Sequence, residues 1–158
     1  MAEFLSILKQ DKPPALRATS ELGTRGERLA ARYLETHGYR LVVRNFKVPI
    51  GRNRRGATVT GEIDIVALDK DVLCFVEVKT KTSAGFADPI ASVTLRKQRQ
   101  IIRTARIYRR IFGLYELAYR YDVVSIVLDP NGQTNIDLAK GFWTETAFRK
   151  KFWSGDIY

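Results

Sequence analysis

GEIDIVALDKDVLCFVEVKTK, residues 61–81, is the stretch of sequence that decides the fold. It contains two runs of β-branched and apolar residues separated by three charged residues, a pattern that is typical of a β-hairpin. A two-residue turn at Lys70 and Asp71 places Asp64 directly opposite Glu77, with Cβ atoms about 5 Å apart on one face of the sheet. A four-residue turn keeps this register, whereas a three-residue turn with a bulge would shift it.

The same face of the predicted hairpin also carries a lysine. Lys79 lies two residues beyond Glu77, so strand alternation returns its side chain to the face that Asp64 and Glu77 share. Opposed carboxylates repel each other, and a hard cation such as Mg²⁺ takes carboxylate oxygens while keeping several waters. Lys79 can then act on a metal-bound water or stabilise charge on a phosphate. The alternative is a surface salt-bridge cluster in which Lys79 only neutralises the acids; the residues alone leave both open.

The composition indicates a basic protein of one domain. The chain has 158 residues, 27 of them basic and 17 acidic, and a net charge of +10. This length buries a core without disulfides, and the charge favours nucleic acid or an anionic membrane surface as partner. We find no bilayer-spanning apolar run and no signal peptide, and therefore expect a cytoplasmic location. The single histidine, His37, excludes zinc sites built on histidine pairs, and no nucleotide-binding glycine motif is present.

Hydrophobic periodicity and turn residues predict one α/β domain in the order helix, three strands, helix, strand. A capping box at Thr24 and Glu27 starts the first helix, and Gly38 ends it. The other predicted elements are a strand at 39–48, a Gly- and Arg-rich loop at 49–60, the hairpin, a loop at 80–89, a helix at 94–112, a strand at 119–128, a turn at 129–132 and a candidate short strand at 134–138. The predicted division is an N-terminal extension at 1–22, the domain at 23–148 and a C-terminal tail at 149–158.

Two polar side chains lie on the apolar faces of the predicted helices. Glu27 shares a stripe with Ala30 and Leu34, so it points toward packed residues. Alternatively, a glutamate in a capping box only satisfies a backbone donor. Gln98 heads the apolar stripe of the second helix, where it either reaches an active site from the buried edge or ends the apolar face near solvent.

The second predicted helix also carries a row of arginines, the basic stripe, which consists of Arg96, Arg99, Arg103, Arg106 and Arg110. Spacings of three and four place these like charges side by side, where they repel. A polyanion would relieve the repulsion, and arginine forks match phosphate geometry. We predict phosphate-backbone binding by the stripe and Lys97, with a candidate second clamp at Arg52, Arg54 and Arg55. A solvated helix face is the alternative, although such faces usually mix charges.

In order and motif, these segments resemble a known family. The chain is similar to the PD-(D/E)xK nuclease fold and resembles more closely the YraN-like family of predicted endonucleases, which is related to Holliday junction resolvases. The resemblance covers most of the chain, and five segments carry it: GTRGE at 23–27, GEIDIVA at 61–67, FVEVK at 75–79, KQ at 97–98 and RYDVV at 120–124. It implies a restriction-endonuclease-like αβββαβ core, with a mixed central sheet flanked by helices.

The resemblance also implies a site and an activity, a metal-dependent endonuclease that hydrolyses DNA phosphodiester bonds, with branched or structured DNA among its candidate substrates. By position, the metal ligands for Mg²⁺ or Mn²⁺ would be Asp64, Glu77 and the backbone carbonyl of Val78. Lys79 would assist the attacking water. The site would be completed by Glu27, with Gln98 as an auxiliary contact.

Other functions remain open from the sequence. The chain can be a non-catalytic nucleic-acid-binding protein that retains the fold, or an interaction module whose basic face docks on ribosomal RNA or an acidic protein. The intact set of acid, acid and lysine favours the enzyme, because a binding module has no need of it. DNA is the predicted partner, no membrane partner is expected, and a homodimer is a candidate assembly. The matching segments also contain Glu62 and Asp122, to which no role is assigned.

Overall fold

The structure, a computed structural model, describes residues 14–83 and 93–148. This part of the chain forms two α-helices, five strands and a short 3₁₀ helix. In chain order they are α1 (Pro14–Thr36), β1 (Tyr39–Arg52), β2 (Thr58–Asp69), β3 (Val72–Thr82), α2 (Leu95–Ile111), β4 (Tyr119–Leu128), β5 (Thr134–Trp143) and the 3₁₀ helix Glu145–Phe148. The predicted C-terminal tail, most of the 80–89 loop and part of the N-terminal extension lie outside the described residues.

The five strands form one mixed sheet in the order β1-β2-β3-β4-β5. β3 and β4 are parallel, and the other neighbouring strands are antiparallel. Parallel neighbours need a crossover connection, and α2 lies in the connection between β3 and β4. α1 packs through Leu34 on one face of the sheet, and α2 packs through Tyr108 on the other. The structure is therefore an α/β domain with a mixed sheet and two helices, which is consistent with a nuclease-like fold.

The central hairpin has the predicted register. β2 and β3 pair from Asp69↔Val72 to Ile65↔Val76 around a two-residue turn. Their ladder ends there, so in the described structure the first half of β2 pairs with β1 only. This half and its β1 partners form a two-stranded ribbon, residues 46–63, which extends beyond the ladder with β3.

The predicted start of the first helix is wrong. α1 begins at Pro14, and Thr24 lies inside it, where its hydroxyl donates to the carbonyl of Ser20 at 2.9 Å. The capping box of Thr24 and Glu27 is therefore wrong as well. Proline starts a helix readily because its missing N–H would have no partner in the first turn. The predicted end is confirmed, since α1 stops at Thr36.

The Gly- and Arg-rich segment is mostly strand, and not the loop predicted at 49–60. β1 runs on to Arg52 and β2 begins at Thr58, so only a short turn remains between them. Packing explains the difference, because Ile50 is buried with only 7% exposure although local composition favours a loop. β5 also continues beyond the predicted short strand, to Trp143, which is buried.

The second helix agrees with its prediction. Thr94 is the N-cap of α2 and accepts a hydrogen bond from the backbone of Lys97 at 3.2 Å. β4 has the predicted bounds, whereas β3 continues to Thr82, into the predicted loop. Among the described residues, no helix is long and apolar enough to span a membrane.

Candidate active site

Asp64 lies at the point where β2 separates from β3. It follows the last ladder pair, Ile65↔Val76, on the side away from the turn. Its Oδ2 accepts a hydrogen bond from the backbone N–H of Val78 at 2.8 Å. The carboxylate thus takes the place of a backbone acceptor and is fixed beside β3, next to Glu77.

Glu77 is a buried carboxylate whose two oxygen atoms have different surroundings. Its residue is only 2% exposed, and Oε1 forms an ion pair of 3.0 Å with Nζ of Lys79. Oε2 lies 3.4 Å from Nζ of Lys97, which is an electrostatic contact, since Oε2 has no hydrogen-bond partner among the described residues. The burial of Glu77 disfavours a surface salt-bridge cluster. The ion pair between Lys79 and Glu77 agrees with the prediction that the two side chains share one face of the strand.

The pKa of the Asp64 carboxyl is shifted mainly by burial. Burial and the charge of Glu77 raise this pKa to about 7, against the opposing hydrogen bond from Val78 and the charge of Lys97. A group that is hard to ionise next to a second acid favours a nearby cation. Asp64 is therefore a buried acid in a position where a further cation would stabilise its ionised form.

Glu27 reaches the same region from α1. A Cβ atom on Gly26 would lie 1.7 Å from Oγ1 of Thr80, so the glycine allows α1 to pack directly against β3. Burial and the charge of Glu62 raise the pKa of the Glu27 carboxyl, and the charge of Glu77 acts in the same direction. Glu27 is thus close enough to interact electrostatically with the acids of the hairpin, as expected from its stripe.

Gln98 and Lys97 both lie in the first turn of α2. Gln98 is buried, and its side-chain amide donates to the carbonyl of Val93 at 3.0 Å, so one donor ties α2 to the residue that precedes its N-cap. Lys97, predicted as part of the nucleic-acid surface, is the α2 residue that contacts Glu77. The sequence feature that points to this second lysine is its position next to Gln98, in the first turn of α2.

The oxygen atoms at this site suit a hard divalent cation. Asp64, Glu77 and the carbonyl of Val78 offer oxygen ligands of the type that Mg²⁺ and Mn²⁺ prefer, and the buried Oε2 of Glu77 has an unused acceptor. Within residues 14–83 and 93–148, no group of three or more His, Cys, Asp or Glu side chains is arranged to hold a metal. A cation here would therefore have two side-chain ligands and would keep several waters.

Members of the basic stripe have different partners. Arg96, Arg99 and Arg110 are exposed. Arg103, although exposed, donates to the carbonyl of Ile50, and Arg106 forms an ion pair with Glu145 at 2.5 Å. The last two therefore hold parts of the protein together. The guanidinium of Arg99 lies over the ring of Phe148, 5.4 Å from its centroid, but Arg96, Arg99 and Arg110 all expose their side chains to a potential anion.

The second predicted clamp lies at the turn of the ribbon. The side chains of Arg52, Arg54 and Arg55 are all exposed. Arg52 donates from Nη1 to the carbonyl of Gly56 at 2.9 Å, within the turn itself.

The other acids of the matching segments have structural partners. Asp122 is fully buried and accepts from Nε of Arg120 at 2.9 Å and from the backbone N–H of Gly141 at 2.8 Å. Arg120 also donates to Asp69 at 2.6 Å, at the turn end of the hairpin. Glu62 forms an exposed ion pair with Lys47 at 3.4 Å. Asp122 thus belongs to a network that fixes β4 to its neighbours.

The fold and the site define an α/β protein with two adjacent carboxylates, one of them buried, and two lysines, at the point where β2 and β3 separate within a mixed sheet. The uncharacterised protein family UPF0102 matches residues 26–126, more than half of the chain. The chain belongs to this family, which is the YraN family that its motifs resemble.

Individual relatives agree with the family match. A UPF0102 protein from Chlorobium limicola is 41% identical over 131 residues, which cover 79% of this chain and 94% of that protein. One from Geobacter sulfurreducens is 45% identical over 111 residues, covering 70% and 79%. One from Caldanaerobacter subterraneus is 36% identical over 113 residues, covering 72% and 84%.

Proposed function

We propose that this protein is a cytoplasmic, metal-dependent endonuclease that hydrolyses DNA phosphodiester bonds. The observation that carries the proposal is the pair Asp64 and Glu77. Nζ of Lys79 lies 3.0 Å from one oxygen of Glu77, and the other oxygen has no hydrogen-bond partner within residues 14–83 and 93–148. Burial of two acids side by side costs free energy, and such groups are concentrated at functional sites.

The metal-ligand role follows from the oxygen atoms. Asp64, Glu77 and the carbonyl of Val78 would hold Mg²⁺ or Mn²⁺. When bound, such an ion polarises a phosphoryl oxygen and lowers the pKa of water. Asp64 is held for this role by the N–H of Val78, so its second oxygen is left for a ligand.

The two lysines would act on charge and protons. Lys79 carries its ammonium beside Glu77, where it can orient the attacking water or donate a hydrogen bond to a phosphate oxygen. Lys97 neutralises the other side of Glu77. Glu27 adds a further acid with a raised pKa, which can accept a hydrogen bond from water near the site, and Gln98 supports the first turn of α2.

The substrate would be a polyanion with phosphates on both sides of the cut. A net charge of +10 attracts nucleic acid irrespective of sequence. The exposed members of the basic stripe and the arginines at the ribbon turn would contact backbone, and branched or structured DNA is a candidate substrate. A homodimer would present two such sites, as symmetric junctions require.

The experiment is a cleavage assay on single-stranded, duplex, flap and four-way DNA with Mg²⁺ or Mn²⁺, and with RNA of matched sequence. Wild type should cut at least one DNA substrate, and Glu77→Ala should cut none. If wild type cuts no nucleic acid with either metal but binds it, the protein is the non-catalytic binding protein instead.

A further inference from the structure

The ribbon formed by β1 and β2 begins beside the candidate site. Asp64 is the first residue of β2 beyond the ladder with β3, and from Ile63 to Thr58 the strand pairs with β1, up to Arg52. At about 3.4 Å per residue, the outer end of β2 at Thr58 lies about 20 Å from Asp64, six residues along the strand, and the turn projects beyond it. A length of about 20 Å is about six base pairs of duplex DNA at about 3.4 Å each.

An isolated two-stranded ribbon is marginally stable in water, but α2 supports both strands of this one. Gly61 makes close packing possible, because a Cβ atom there would lie 2.0 Å from Oγ1 of Thr104. The side chain of Gln100 donates to the carbonyl of Thr60 at 3.0 Å. These contacts hold the ribbon in a fixed direction relative to the site.

The other strand of the ribbon is held by the basic stripe itself. Arg103 donates to the carbonyl of Ile50, so its guanidinium bridges α2 and β1. Arg103 is thus a positioning residue for the ribbon. Its contact with β1 gives this member of the basic stripe a structural role.

The turn of the ribbon is itself ordered and basic. Oδ1 of Asn53 accepts from the backbone N–H groups of Arg55 and Ala57, both at 2.9 Å. With its backbone held in this way, the turn presents the exposed side chains of Arg54 and Arg55. No acidic residue occurs in residues 48–61, so no carboxylate within this outer part neutralises the arginines.

From this geometry we propose that the β1–β2 ribbon is an arm for duplex DNA, which contacts the duplex through Arg54 and Arg55 at about six base pairs or slightly more from the candidate site. A two-stranded ribbon fits the major groove of B-form DNA, which is about 12 Å wide. The major groove of double-stranded RNA is deep and narrow and does not admit it. The location of the cut rests on the proposed function, but DNA binding by the arm does not.

The test compares two double variants that each remove two positive charges. Arg54→Gln/Arg55→Gln removes the arm contacts, and Arg28→Gln/Arg32→Gln removes two exposed arginines from α1, on the opposite face of the sheet. Affinity is measured without a metal, as a function of salt, for duplex DNA, single-stranded DNA and double-stranded RNA of equal length. Circular dichroism melting checks that both variants fold.

The arm variant should bind duplex DNA about tenfold more weakly, and its log–log salt slope should fall by about 1.8, which is about 0.9 for each of two phosphate contacts. The α1 variant should keep the wild-type slope, and the arm variant should be weakened less on single-stranded DNA and double-stranded RNA. Equal weakening in the two variants, or an effect as large on double-stranded RNA, would overturn the proposal. Binding is measured without cleavage. DNA binding by the arm can therefore be supported even if the wild-type protein cuts nothing, and it can be overturned even if the protein is an active nuclease.

Discussion

The carboxylate of Asp64 accepts a hydrogen bond of 2.8 Å from the backbone N–H of Val78, across two strands whose ladder has ended one residue earlier. This bond replaces a strand-to-strand backbone bond by a side-chain bond, so the strands diverge while the acid stays in place. The carbonyl of Val78 belongs to the residue that holds Asp64, and Glu77 is its neighbour in sequence. One local change in strand pairing therefore gathers all three proposed metal ligands.

Metal binding should depend on this acid. Asp64→Asn keeps an oxygen that can accept from Val78 but removes the negative charge, so Mn²⁺ affinity should fall at least tenfold in calorimetric titration. Asp71→Asn, in the exposed turn at the other end of the hairpin, is the matched control and should bind Mn²⁺ as wild type does. Equal affinities in all three proteins would exclude Asp64 as a ligand.

The stability of the folded protein should depend on pH through the carboxyl group of Asp64. Its pKa is raised from 3.8 to about 7 by burial and the charge of Glu77, so the folded state holds this proton more tightly than the unfolded state. In a chelator, this group makes the fold less stable as pH rises from about 4 to 7. Asp64→Asn should therefore gain stability relative to wild type at pH 8 but little at pH 4, as measured by urea denaturation. A constant difference at both pH values would contradict the raised pKa.

Lys97 should stabilise the metal-free protein. It lies 3.4 Å from the buried Oε2 of Glu77, and its removal takes away the positive charge beside this oxygen, so that Glu77 keeps the ion pair of its other oxygen with Lys79. Lys97→Met should lower the free energy of unfolding by on the order of 1–3 kcal/mol in a chelator. The control Arg96→Met removes an exposed neighbouring charge and should cost less than about 0.5 kcal/mol. Equal urea midpoints for the two variants would show that Lys97 is not a partner of Glu77.

The basic stripe should divide into binding and structural members. Replacement of Arg96, Arg99 and Arg110 by Gln should lower the salt slope of duplex DNA binding, by about 0.9 for each phosphate that is no longer neutralised. Arg106→Gln should change that slope little but should lower stability by up to about 1 kcal/mol, because it breaks the partly exposed ion pair with Glu145. If the salt slope falls in Arg106→Gln but not in the triple variant, the assignment of binding and structural members is wrong.

Sequence reasoning recovers the parts of the site that depend on local pairing. Asp64 and Glu77 are separated by a two-residue turn, and the period of a strand determines their register once that turn is known. Lys79 follows from the same alternation. The helix cap at Thr94 is equally local, since its hydroxyl needs only a backbone N–H three residues away.

The features that the sequence did not predict correctly depend on contacts between residues that are far apart in the chain. Ile50 is buried by α2, and this contact turns a segment with the composition of a loop into a strand. Lys97 resembles one more charge in a basic helix until the crossover brings the first turn of α2 to Glu77. The pattern of S/T-x-x-E at Thr24 is a common start signal, but here the preceding residues continue the helix to Pro14.

Lys79→Ala tests the central claim most directly. In the proposed enzyme, Lys79 acts on the attacking water or the phosphate, so this variant should lose at least about two orders of magnitude in cleavage rate. Its DNA affinity should remain within about twofold, because it removes one of 27 basic residues. Cleavage rate and affinity are measured on the same substrate, with Glu77→Ala as the variant that should lose both cleavage and Mn²⁺ binding. A Lys79→Ala protein that cuts as fast as wild type would contradict the proposed active site.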